Sequence, residues 1–334
     1  MIHISVVVPV YPHTKPLKAM QALECSAREQ FEIEILIVEG TAPSVQRNAA
    51  VNIAQGEYVY FLDDDSIVDR NALGVAFAFF SAHPEVSAVG GPALTHPDAS
   101  DMERCLGLVM GARLTAALTA QRHAALGEPR RVNGEGLSLC NLVVKSSVLE
   151  THDGFKAALY PSEDPEFLKR LEIRGELLFY LPSMLVYRSR RKTLAAAVSQ
   201  FFRYGQGRAN HIFSNLHLRD LVFFGPSVLF LVFIAACLDP AGNAKFVVCS
   251  YAALAGSAAL FLSRRAKEPL ALAMRLWLVI LLVHGAYGAG FLVGLIVKLR
   301  KYQGGSPIKI SRYTLPASSA HASFERVIEN SVCN

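Results

Sequence analysis

The sequence has few charges, a single tryptophan and no paired-cysteine motif. The six cysteines, Cys25, Cys105, Cys140, Cys237, Cys249 and Cys333, are scattered without Cys-x-x-Cys spacing. That excludes a paired-cysteine metal or redox motif, and they read as packing residues of a reducing compartment. No basic start with a small-residue cleavage site precedes the first apolar run, HISVVVPVY at 3–11. The first half is therefore expected to stay in the cytosol. Neither an aromatic-basic platform nor a DNA-reading motif accompanies the Lys and Arg clusters, which sets nucleic acid aside as a partner.

What is abundant is apolar. Hydrophobic residues make up 52% of the 334 positions, charged ones 18%, and mean hydropathy is +0.30. Such a chain is too long for one small domain and too apolar for an ordinary soluble one. The excess is uneven, because charge and hydrophobe mix up to about 220, and long runs almost free of charge follow. The net charge of +5 is modest, and its basic clusters RSRRK (188–192), SRRAKE (263–268) and KLRK (298–301) adjoin the apolar runs. They suit anionic lipid head groups.

Along the first half, ISVVVPVY (4–11) and EIEILIVEG (32–40) are strand-like, and LKAMQALECSARE (17–29) between them has helical spacing. A second helix is predicted over 44–55, a third strand over EYVYFL, a helix over 71–85 and a strand over 86–92. Alternation of this kind predicts a doubly wound α/β domain with ligands at the carboxyl ends of its strands. One helix is predicted through MERCLGLVMGARLTAALTAQRHA, and another over 164–175, acidic in its first turn and closed by Gly175. Residues 194–205 predict an amphipathic helix at a membrane surface.

The chain thus divides into 1–193, a globular domain; 194–220, an interfacial region; 221–300, a membrane domain; and 301–334, a tail in which no function is read. Segments 221–238 and 246–262 lack charge and approach spanning length, as an antiparallel pair. Segment 270–297 is long for one pass and short for two, which leaves a tilted single helix or a broken, re-entrant hairpin. The loop at 239–245 is the least basic connection, so the positive-inside rule places the globular domain and SRRAKE in the cytoplasm. A third crossing would export KLRK, which favours the re-entrant form and a cytoplasmic tail.

The most unusual stretch is GEYVYFLDDDSIVD at 56–69, with Asp63, Asp64 and Asp65 directly after an apolar strand. Strand alternation would point Asp63 and Asp65 to one site and Asp64 away. Two such carboxylates can hold Mg²⁺ or Mn²⁺, completed by water and a diphosphate. A solvated turn, with Asp65 or Ser66 capping the next helix, is the plainer reading of those three residues alone.

Three ordered stretches, ISVVVPVY, RNAAVNIAQGEYVYFLDDDSIVD and SEDPEFLKRLEIRG, resemble the signatures of glycosyltransferase family 2 over roughly residues 4–210. TLAAAVSQFFRYGQGRA followed by apolar segments resembles its membrane-bound, exopolysaccharide-type members. The resemblance implies a GT-A catalytic domain, with a Rossmann-like, mostly parallel mixed sheet, followed by transmembrane helices. It implies that Asp63 and Asp65 belong to the metal and donor-diphosphate motif, with Asp65 the direct ligand of Mg²⁺ or Mn²⁺. Asp164 would be the catalytic base, with Glu163 beside it. Helix capping is the structural alternative for that pair, and a helix N-terminus would favour ionised Asp164.

Pro9, Tyr11 and Glu39 stand where the family binds the nucleoside, although the family more often has Asp at the place of Glu39, and EGTAPS shortens the loop after it. Asp64 and Arg47 are further donor-binding candidates, Arg47 being otherwise a helix-surface arginine. Arg203 in RYG would add a cation for the diphosphate, or else snorkel to head groups. A histidine that relatives often carry is replaced near Arg188, whose role does not transfer. His284 reads as a packed, hydrogen-bonded histidine.

These implications describe a metal-dependent inverting hexosyltransferase of the inner membrane, using a nucleotide-diphosphate sugar, a UDP-sugar first among them. Its acceptor would be a lipid-linked saccharide or growing polysaccharide, with membrane lipids as partners and a homo-oligomer left open. The alternatives are a polyprenyl-phosphate glycosyl synthase and a catalytically silent subunit of a polysaccharide export complex.

Overall fold

The computed structural model of the protein describes residues 2–14, 31–159, 162–212, 218–239, 242–297, 307–315 and 329–331, together with Ala19 and Leu23. The helix predicted over 17–29 lies outside the described residues except at those two positions, which are helical and buried. The chain divides into two compact units. One comprises Met1–His96, Gln121–Ser189 and Lys301–Asn334; the other comprises Pro97–Ala120 and Arg190–Arg300.

At the centre of the first unit, β1 (Ile2–Val10) runs parallel to β2 (Phe31–Glu39) on one side and to β3 (Tyr58–Leu62) on the other, with Val6 beside both Ile35 and Tyr60. In the middle of each strand both faces are buried, which is why Val6–Val8, Ile35–Val38 and Val59–Leu62 read as unbroken apolar runs rather than alternating ones. Beyond β3 lie β8 (Asn141–Lys145), antiparallel, then β5 (Ala88–Gly90), β9 (Leu178–Tyr180) and β7 (Arg130–Arg131). A small second sheet orders β4 (Ile67–Val68), β10 (Val186–Arg188) and β6 (Ala93–Thr95).

The far edge comes from the end of the chain. Strand β11 (Ile308–Leu315) lies antiparallel to β2, with Lys309 opposite Glu39 and Leu315 opposite Ile33, and β12 (Glu329–Ser331) pairs with β11. Within the stretch expected as a tail, Ile308–Leu315 and Glu329–Ser331 thus return to the sheet of the first unit. They cover an edge of β2 that would otherwise expose unpaired backbone groups.

The helices of this unit are α1 (Pro43–Val51), α2 (Ala72–Ala82), α5 (Ser146–Thr151) and α6 (Glu163–Ile173). Helix α6 has Glu163, Asp164 and Glu166 in its first turn, and Gly175 just beyond it has φ of +89°, a C-terminal stop that glycine adopts without strain.

In the second unit, the helix predicted through 102–124 is divided. Helix α3 (Asp101–Gly111) starts with a capping box in which Ser100 and Glu103 bond reciprocally, and the short α4 (Arg113–Ala116) follows after Ala112. Next come α7 (Leu194–Ile212), α8 (Gly225–Leu238), α9 (Asn243–Arg265) and α10 (Leu270–Ile296). Three stretches, Leu218–Leu238, Ala244–Arg265 and Leu270–Ile296, are long and apolar enough to cross a membrane.

Helix α10 corrects one expectation, because it is continuous through all 27 residues and its glycines do not break it. A Cβ on Gly288 would lie 2.3 Å from the Pro226 carbonyl oxygen, and one on Gly290 would lie 2.0 Å from that of Phe202. Gly205 of α7 is equally close, at 2.1 Å, to the Tyr287 carbonyl oxygen. These glycines let helix backbones touch, as small residues do in membrane bundles. His284 is packed as expected, with its Nδ1 2.6 Å from the Tyr251 hydroxyl and its Nε2 2.9 Å from the Thr115 carbonyl oxygen.

Candidate active site

The ends of β1 and β2 are tied together by α1, whose Gln46 Nε2 donates to the carbonyl oxygens of Val10 and Val38. The next residue, Arg47, is buried rather than on a helix surface. Its Nη2 donates to Asp63 Oδ1 at 3.2 Å and its Nη1 to Glu163 Oε1 at 3.1 Å. One guanidinium thus joins the residues after β3 to the first turn of α6.

A second arginine reaches the same corner from the other sheet. Strand β10 runs antiparallel to β4, with Tyr187 opposite Ile67, so Arg188 falls beside the turn before β4. Its Nη2 lies 3.0 Å from Asp63 Oδ2 and its Nε donates to Asp65 Oδ1 at 2.8 Å. Asp63 is therefore gripped on both oxygens. The convergence of Asp63 and Asp65 comes from this turn, closed by Ser66 N donating to Asp63 O, because β3 ends at Leu62. Neither Asp65 nor Ser66 caps a helix, since the next one starts at Ala72 with Asn71 at its N-cap.

These pairs set the local titration. Burial pushes the Asp63 carboxyl up, but Arg188 and Arg47 outweigh it and hold the group below the usual carboxylate range. Asp64 goes the other way, raised by burial and by its neighbours Asp65 and Asp63. Arg188 is held well above its ordinary value, where Asp63 and Asp65 overcome the cost of burial.

Asp164 departs furthest among these carboxylates. Burial, with Glu163 and Asp63 adding to it, raises its carboxyl to about 7 against the opposing pull of Arg122 and Arg47. The helix N-terminus does not keep it at an ordinary acidic value, as the sequence suggested, because removal from water is the larger effect. A carboxyl titrating near neutrality suits proton transfer. Beside it, Glu163 Oε2 is buried with no hydrogen-bond partner among the described residues, an acceptor left open.

Behind this corner, Asn141 at the start of β8 accepts from the Tyr60 hydroxyl at 2.9 Å and donates to the Met184 carbonyl oxygen at 2.7 Å. It ties β3 to the loop that leads into β10. Arg122 Nε donates to the Glu135 carbonyl oxygen at 2.9 Å, and its Nη2 lies 3.5 Å from the Glu135 carboxylate.

The nucleoside candidates are placed separately from these pairs. Pro9 is in β1, Tyr11 just beyond it is 59% exposed, and Glu39 ends β2 with Lys309 Nζ of β11 at 3.8 Å. Arg203 lies exposed on α7 in the second unit. Arg188, Asn141 and Lys309 were not among the sequence candidates. Arg188 was visible only as a departure from the expected histidine, and nothing local marked the other two.

The parallel strand triplet, the antiparallel β8 and an acidic turn after β3 define a GT-A fold, of the kind seen in glycosyltransferases. Residues 3–207 match the family described as glycosyltransferase like family 2, and the chain belongs to that family. Among solved structures, it is similar to the mannosyltransferase PcManGT from Pyrobaculum calidifontis, with 19% identity, a TM-score of 0.53 and coverage of 89% of this chain and 88% of that one. The crystal structure of S. aureus TarS 1-349 also aligns, at 13% identity and a TM-score of 0.42, over 88% of this chain and 92% of that one. No curated protein matches the chain.

Proposed function

We propose that this protein is an inverting, membrane-anchored glycosyltransferase. It moves a sugar from a nucleotide-diphosphate donor to a lipid-linked saccharide or growing polysaccharide at the cytoplasmic face of the inner membrane. The observation that carries the reading is Asp164, a carboxyl raised to about 7 at the head of α6, beside the open oxygen of Glu163 and one arginine away from Asp63. In its ionised form Asp164 takes the proton from an acceptor hydroxyl as that oxygen bonds to the anomeric carbon. The bond from that carbon to the diphosphate breaks, and configuration inverts. Glu163 Oε2, which has no partner among the described residues, would accept a hydrogen bond from a sugar hydroxyl.

Arg47 and Arg188 hold the acidic turn in one shape, yet they do not balance it. Asp63, Asp64, Asp65, Glu163 and Asp164 outnumber them, and a diphosphate adds further negative charge. A divalent cation fits that excess. Among the described residues no group of three or more His, Cys, Asp or Glu could hold a metal, so the cation would rest on Asp65, with Asp63, and on the donor itself, as hard cations often do. Mg²⁺ or Mn²⁺ so bound would stabilise the departing diphosphate. The similar mannosyltransferase was solved with GDP-Man and Mn²⁺, which supports a nucleotide-sugar donor and a metal here. Pro9, Tyr11 and Glu39 would border the nucleoside, and Asp64 would adjoin the diphosphate.

The test is calorimetric donor binding and nucleotide release by detergent-solubilised protein with Mn²⁺, across a panel of nucleotide sugars. Wild type should bind one donor only with metal, Asp65→Asn should lose that binding, and Asp164→Asn should bind without turnover. Full turnover by Asp164→Asn would point to a phosphate acceptor, which needs no base. Absence of all donor binding would point to a silent binding subunit.

A further inference from the structure

Open α/β sheets bind ligands at the carboxyl ends of their parallel strands, and the edge of this sheet brings a residue from the end of the chain to that place. Strand β11 is antiparallel to β2, so its first residues lie at the carboxyl end of β2. Lys309 stands opposite Glu39, and Glu39 is in turn beside Val10, the last residue of β1. Across three neighbouring strands the order is therefore Lys309, Glu39, Val10, with Tyr11 just beyond and 59% exposed. At about 4.8 Å between strands the row is roughly 10 Å wide, which matches a nucleobase.

The register that sets this row is pinned on the other face of β11. There Arg312 Nε lies 3.3 Å from Oε2 of the buried Glu34, and its Nη2 donates to the Ile53 carbonyl oxygen at 2.8 Å. Ile308 and Ile310 are buried in one cluster with Leu36 and Val38. A slip of one residue would turn Arg312 and both isoleucines to the opposite face. Lys309 is thus held opposite Glu39 by contacts that it does not itself make. Its own pair adds little to that hold, because Nζ is 3.8 Å from Glu39 Oε1 and the two side chains are 38% and 28% exposed. What the pair does is present a donor-only group and an acceptor-only group side by side.

We infer that Lys309 reads the nucleobase of the donor together with Glu39. This rests on the nucleotide-sugar function proposed above and adds the class of base. A carboxylate accepts and an ammonium donates, so the pair is complementary to an edge on which a ring N–H adjoins a carbonyl oxygen. Uracil and guanine carry that edge. Glu39 accepts the ring N–H, Lys309 donates to the carbonyl, and the exposed Tyr11 offers a ring on which the base stacks. Adenine and cytosine have a lone pair at the matching ring nitrogen, which the carboxylate repels. Lys309 also offsets the negative charge that Glu39 alone would set near an anionic donor.

The test is calorimetry on the detergent-solubilised full chain with Mn²⁺, titrated with UDP, GDP, ADP, CDP and inorganic pyrophosphate. Wild type should bind UDP or GDP more tightly than ADP or CDP, and the tighter of the two identifies the base. Lys309→Met should melt close to wild type and bind that preferred nucleotide roughly tenfold or more weakly, while Lys309→Arg should recover part of the loss. Binding of pyrophosphate and of the other nucleotides should stay nearly unchanged. If Lys309→Met binds the preferred nucleotide as tightly as wild type, the inference fails while the transferase function stands. An equal loss for pyrophosphate would make Lys309 a phosphate cation, and a wild-type preference for ADP or CDP would mean the wrong base edge. Either result overturns it. A wild type that binds none of the nucleotides would overturn the transferase function itself, and the inference with it.

Discussion

The corner where β3 meets α6 and the seam where α7 meets α10 pose opposite packing problems. At the corner, long charged side chains converge, and Arg47 and Arg188 reach across to Asp63, Asp65 and Glu163. At the seam, Gly205 and Gly290 carry no side chain, and the backbones themselves touch. The first arrangement spends stability on buried charge, which is worth its cost where a charged substrate must be met. The second holds helices together by close contact and has no chemistry to offer. The proposed function thus rests on the region that is locally unfavourable.

Removing the proposed base should have the largest effect. Asp164→Asn should lower kcat by roughly 10²- to 10⁴-fold, with donor binding by calorimetry unchanged. Next in size is a wedge in the seam. Gly290→Leu places a side chain where the Phe202 carbonyl oxygen already stands, and should cost about 3 kcal/mol or more, read as a lower melting temperature in detergent. Donor binding by whatever protein remains folded should persist, which would separate the two regions.

Asp63→Asn sharpens the comparison from the other side. It leaves Arg47 and Arg188 short of a shared anion and should cost about 3 kcal/mol near neutral pH, measured by thermal melting. Unlike the glycine change, it should also weaken binding of the donor with metal.

A pH series distinguishes the corner's two carboxylates. Asp164 titrates near 7 in the folded state and near about 4 when unfolded. The folded protein holds the extra proton between those values, so stability falls as pH rises from 5 to 8. Asp63, held below the usual range, works oppositely, since its contribution is present above that range and lost as pH falls through its depressed value. The melting temperature of wild type should therefore decline relative to Asp164→Asn between pH 5 and 8, while wild-type kcat/KM climbs through an apparent pKa near 7. The smallest effect is expected from Lys309→Ala, which removes a part-exposed pair with Glu39 and should cost under about 1 kcal/mol.

Much of this was legible locally. The apolar runs of β1, β2 and β3, the acidic turn after Leu62 and the acidic start of α6 are all contiguous, and the family's ordered signatures add roles to them. What escaped was assembled from distant parts. Arg188 looked like a lost histidine until the register of β10 on β4 placed it beside Asp65. The glycines of α10 looked like breaks until Phe202 and Pro226 were found against them. The end of the chain looked featureless because an edge strand needs a partner to be recognised, and β2 lies over 250 residues earlier.

The sequence by itself determined the parallel core, the family, the acidic motif and the three apolar helices, because each depends on neighbours along the chain or on composition. Tertiary structure alone decided which cations hold Asp63 and Asp65, why Asp164 titrates near neutrality, and that β11 returns to the catalytic sheet. Those properties depend on burial and on distances between residues far apart in sequence. Electrostatic energy and strand pairing act through space, where sequence separation does not count.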